Sequence, residues 1–101
     1  MNKLNIMVEE VYQYACERLS EAQIFDDDIY IILKNNIISK LKFESNLSFK
    51  PEFDKQKVES IYLRSLQYTL LSLSHRDDMD ILKEHFRLTS EEYLKKHNKL
   101  F

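Results

Sequence analysis

The side chains best suited to chemistry in this chain are three histidines, one cysteine and two runs of aspartate. Metal binding through histidine needs two ligands on one helical turn, at i and i+3 or i+4, as in H-E-x-x-H. His75, His85 and His97 stand ten and twelve residues apart, so no two share a turn. Asp26-Asp27-Asp28 and Asp77-Asp78-Met79-Asp80 are dense in carboxylate, but both lack the glycine and the terminal glutamate of a calcium loop. These aspartates are read instead as helix caps. Cys16 is the one plausible nucleophile. It lies on the flank of an apolar helical stripe with no histidine near it in sequence, so a buried, unreactive thiol is expected. No catalytic residue, metal ligand or cofactor is expected, and the chain is read as non-enzymatic.

Two sequence patterns deserve weighing against this. His75-Arg76-Asp77 spells the tripeptide of a protein-kinase catalytic loop, but the chain has no glycine-rich loop to accompany it. Residues 79–99 read as helix, a short turn at Arg87-Leu88-Thr89, and a second helix, which is the spacing of a helix-turn-helix. In that reading Arg87, Lys95, Lys96 and Lys99 would meet phosphates. Against it, Arg87 stands where the turn usually has glycine, and Lys83 stands where a small residue is expected. The reading helix would also open with Ser90-Glu91-Glu92, whose carboxylates oppose phosphates and base edges. The charge balance points the same way. Fifteen Lys and Arg face seventeen Asp and Glu, for a net charge of -2, which is no footprint for nucleic acid or an anionic membrane. A DNA-binding regulator with a degenerate motif at 79–99 therefore stands as the alternative.

Whatever the function, helices must position it. The chain of 101 residues contains no glycine and one proline, Pro51. Average proteins carry roughly 7% glycine. Without it, turns that need positive φ are costly, phosphate-cradling loops are largely excluded, and helices joined by short polar turns are the economical solution. The expected fold is all-α, an irregular bundle of four to five helices in a single domain spanning 1–101. The longest apolar run, Ile29 to Leu33, is far short of the roughly 20 residues of a membrane span. No secretory signal follows Met1, and the single cysteine cannot form an internal disulfide, so a cytoplasmic location is expected. Abundant Ile, Lys and Asn suggest an AT-rich genome, as in low-GC bacteria and their phages.

Apolar periodicity places the helices. Leu4, Val8, Val11, Ala15, Leu19 and Ala22 form the stripe of a first helix whose acidic outer face carries Glu9, Glu10, Glu17 and Glu21. Asp26 is expected to cap a second helix reaching about Lys42, with Tyr30, Leu33, Ile37 and Leu41 on its main face and Phe25 stapled to Tyr30. Residues 44–53 break the pattern, and Leu47, Phe49 and Phe53 are expected to lie on the core. A third helix from about Asp54 to Ser74 carries Val58, Ile61, Tyr62, Leu66, Thr69 and Leu73, with Ser65, Thr69 and Ser72 allowing close helix approach. Asp77-Asp78 is expected to cap a short fourth helix. Thr89-x-x-Glu92, with Leu88 and Tyr93 as its staple, is expected to open a fifth.

Apolar side chains exceed what these main faces need. Ile31, Ile32 and Ile38 lie off the main face of helix 2, and Leu63, Leu70 and Leu71 off that of helix 3. Either helix 2 is central and buried all round, or some of these residues remain exposed as an interface. The functional reading is a small protein-binding module, such as an inhibitor, immunity or regulatory protein from a phage or mobile element. Its candidate binding residues are Glu9, Glu10, Glu17, Ile31, Ile32 and Ile38. The partner is another protein, with a homodimer left open.

Overall fold

The computed structural model describes residues 3–43 and 54–97. Among them are four helices: α1 (Lys3–Glu21), α2 (Asp27–Phe43), α3 (Lys55–Ser72) and α4 (Asp80–His97). The expected stripe of α1 faces inward, with Val8, Val11, Ala15 and Leu19 buried and Leu4 and Ala22 packed at its ends. Leu33, Ile37 and Leu41 of α2 are fully buried, as are Tyr62 and Leu66 of α3. Each such aliphatic side chain contributes about 1.5–3 kcal/mol on leaving water.

Local chemistry explains the helix ends. Asp26 caps α2 as expected: its Oδ1 accepts from the Asp28 N–H at 2.9 Å, and its carbonyl accepts from the Ile29 and Tyr30 N–H groups. Asp54 caps α3 by accepting from the Lys57 N–H at 3.0 Å. The end of α1 is a Schellman motif made without glycine. Ile24 N–H donates to the Leu19 carbonyl and Gln23 N–H to the Ser20 carbonyl, both at 2.9 Å. Gln23 therefore takes φ of 61°, the one positive value among the described residues. Ile24 and Leu19, the two apolar positions of the motif, are both buried. Phe25 remains 68% exposed. Tyr30 is tied instead to the turn, its hydroxyl donating to the Ile24 carbonyl at 2.6 Å.

The expected fifth helix does not form. α4 runs unbroken through Arg87-Leu88-Thr89. Arg87 bonds Glu84 one turn before it and Glu91 one turn after, which stitches the helix across the expected turn. Thr89 and Glu92, three apart, fit a helix interior as well as a capping box, and no glycine offers the chain an exit. The caps expected at Asp77-Asp78 are also displaced. The Asp78 carboxylate is taken by Arg76, and the first α4 turn closes from Lys83 N–H to the Met79 carbonyl at 2.9 Å.

Among the described residues α3 alone packs against all three other helices, so α3 rather than α2 is central. Its burial shows this: Val58, Ile61, Leu63, Ser65 and Thr69 join Tyr62 and Leu66 below the surface. Leu63, expected as surplus, is thus buried, while Leu71 is exposed and Leu70 partly buried. Thr69 Oγ1 donates back to the Ser65 carbonyl at 2.8 Å and accepts from Asn36 Nδ2 at 2.9 Å, which pins α2 to α3. Two turns meet at one end of the molecule. Arg76, between α3 and α4, bonds Asp26 at 2.6 Å and Asp78 at 2.7 Å, with Asp28 at 3.6 Å. The segment 44–53, with Leu47, Phe49 and Phe53, lies outside the described residues.

Candidate interaction surfaces

The six residues proposed for protein binding do not form one surface. Glu9 and Ile31 share the outer face of α1 and α2. Lys34 joins them: its Nζ lies 3.1 Å from the Glu9 carboxylate and 4.9 Å from the centre of the Tyr12 ring. Beside them Tyr12, Phe25, Asp27, Tyr30 and Ile31 line a hollow of about 440 Å³. Ile31 is 59% exposed there. Ile32 and Ile38 are turned toward the core and are partly buried against it. Ile32 is turned about 100° from Ile31, whereas Ile38, seven residues on and nearly in line with Ile31, is partly buried nearer the other end of α2.

Glu10 and Glu17 lie on the opposite side of α1. With Gln13, Tyr14, Lys55, Val58 and Glu59 they line a cleft of about 400 Å³ between α1 and α3. An acidic helical face seen in sequence is therefore two faces in space, because Glu9 and Glu10 are successive residues on opposite sides of the buried stripe.

The basic residues of the DNA-binding alternative fare differently. Arg87 is engaged by Glu84 and Glu91. Lys96 Nζ bonds Glu59 of α3 at 3.0 Å. Lys95 is exposed on the last turn, and Lys99 lies outside the described residues. With α4 continuous there is no turn and no separate reading helix, so the helix-turn-helix geometry expected at 79–99 is not formed among the described residues.

One polar pair was not foreseen. The Tyr62 hydroxyl and His85 Nε2 are 2.7 Å apart between α3 and α4. Tyr62 is fully buried, and Tyr14 of α1 packs edge-on against its ring at 5.5 Å. Burial raises the Tyr62 phenol, with the Tyr14 phenol adding to it, so it stays protonated and donates. Burial lowers His85, and Arg18 lowers it further against Glu92 and Glu21, so the imidazole is neutral and accepts. The phenol itself is shielded from solvent, while His85 is only partly buried. The pair's sequence signal was weak, because Tyr62 and His85 are 23 residues apart. Tyr12, in the α1–α2 face, is pushed up to about 12, first by burial and then by a hydrogen bond with Cys16. Tyr30 is also raised by burial.

His75 is exposed, and His97 Nε2 lies 3.6 Å from Glu59. Among the described residues no three of His, Cys, Asp and Glu converge as a metal site would require. No helix of the described residues is long and apolar enough to cross a membrane. No family model, curated protein or solved structure matches the chain.

Proposed function

We propose that this protein is a small non-enzymatic binding module whose ligand is another protein, held on the α1–α2 face. The observation that carries this reading is the exposure of Ile31 and Phe25 beside the half-buried rings of Tyr12 and Tyr30. An apolar and aromatic centre with Glu9, Asp27 and Lys34 at its edge has the anatomy of an interface core and rim. The aromatic rings offer large contact area at small entropic cost, and the tyrosine hydroxyls stay protonated at neutral pH. Regulation or inhibition of a partner, as an immunity protein would do, is the role such a module fits, and the cytoplasm is where we place it.

The test compares tagged wild-type protein with Ile31→Asp in pull-downs from a low-GC bacterial lysate, with and without nuclease. One stoichiometric protein that survives nuclease and is lost with Ile31→Asp supports the reading. Capture that is indifferent to Ile31→Asp, or that vanishes with nuclease, overturns it. Because Ile31 is exposed, the variant keeps its fold, and circular dichroism verifies that.

A further inference from the structure

The seams α1–α2, α2–α3 and α3–α4 are closed by direct helix packing, but the seam between α1 and α4 is not. Among the described residues no Cα of α1 lies within 8 Å of a Cα of α4. Both helices pack on α3, and His85, hydrogen-bonded to the buried Tyr62 of α3, lines the gap. α4 offers the gap Ile81, His85, Leu88 and Glu92, at i, i+4, i+7 and i+11, the spacing of one helical face. Ala22, in the turn that follows α1, lines the same hollow, of about 370 Å³, together with Ile81, His85 and Leu88. Ile81 is 66% exposed and Leu88 48%. Two large apolar side chains seven residues apart, opposite a small one, form the groove that receives an amphipathic helix.

Charge selects the occupant. Asp80 and Glu84 line the hollow, and Glu21 and Glu92 lie close enough to act on His85 in its wall. Against these are Arg18, which bonds Glu21, and Arg87, which bonds Glu84 and Glu91. The lip carries an excess of acid. A second copy would bring Asp80, Glu84 and Glu92 against their own kind, and phosphates of nucleic acid or lipid would be repelled in the same way. We propose that the α1–α4 groove seats a basic amphipathic helix of a partner protein. Its apolar side covers Ile81 and Leu88 and its lysines or arginines meet the acidic lip. This site lies across α1 from Ile31 and stands apart from the α1–α2 face.

The probe is an 18-residue model helix with leucine on one side and lysine on the other, beside a leucine–glutamate helix of the same pattern. Both are titrated into the full chain by calorimetry and by amide chemical-shift mapping. The expected result is one lysine helix per chain, shifts centred on Ala22, Ile81 and Leu88, and at least tenfold weaker binding of the glutamate helix. Ile81→Asp, and the milder Ile81→Ser, weaken the lysine helix at least tenfold while circular dichroism stays unchanged. Ile31→Asp leaves its affinity as it was. Equal affinity for the two helices, insensitivity to both Ile81 variants, or shifts centred on Ile31 and Phe25 would overturn the proposal. A dimer in sedimentation that Leu88→Asp dissociates would overturn it too, by assigning the groove to a second copy.

Discussion

Gln23 shows what the absence of glycine costs at a single residue. A Schellman cap demands a left-handed residue, and a side chain with a Cβ holds that conformation at a penalty of about 1–2 kcal/mol. Gln23→Gly is therefore expected to stabilise the protein by about 1 kcal/mol, read as a higher urea midpoint at unchanged slope. His85 sets a pH dependence. Its folded value lies below the ordinary 6.5, so the unfolded chain takes up the proton first. Stability is full above 6.5 and falls as pH drops below it toward the folded value. His85→Gln should flatten the urea midpoint between pH 7.5 and 5.5. Arg76 acts lower on the scale. Its hydrogen bonds hold the Asp26 and Asp78 carboxyls below their usual range, so their contribution is present above about pH 4 and is lost on further acidification. Arg76→Ala should lower the Tm modestly at neutral pH and less at pH 3.

At the scale of elements, α1, α2 and α3 were legible to within two residues at most ends, because each repeats its apolar residues on a single face and starts at an identifiable cap or terminus. α4 was misread as two helices. A capping box is a local pattern, and it caps only where the preceding turn ends a helix. Here Arg87 bridges Glu84 and Glu91, so the turn before Thr89 continues. A substitution distinguishes the two arrangements. Leu88→Gly should cost about 1 kcal/mol in an unbroken helix, in which glycine is a poor residue. In a turn it would be neutral or stabilising. Hydrogen exchange adds a second reading, since amide protection should run without a gap through residues 87–89.

At the scale of the whole molecule, one buried cluster draws on α1, α2, α3 and the start of α4. Unfolding followed by tyrosine fluorescence and by far-ultraviolet circular dichroism should therefore give coincident transitions. Leu66→Ala, in the fully buried centre of α3, should cost about 2–5 kcal/mol. Among the described helices α4 packs on α3 alone and adds few buried residues, and its Ile81 and Leu88 are exposed.

The sequence by itself determined the all-helical class, the inward stripes of α1, α2 and α3, the cap Asp26, and the high cost of positive φ. These depend on residues within a few positions of one another, where propensity, spacing and capping act. The tertiary structure alone decided that α3 is central, that Leu63 is buried while Ile31 is exposed, that Glu9 and Glu10 serve different faces, and that Arg76 joins two turns fifty residues apart. Each of those depends on which helix lies against which. Periodicity tells which side of a helix is apolar, but exposure is set by how many neighbours cover it, and the chain's one-dimensional pattern does not carry that number.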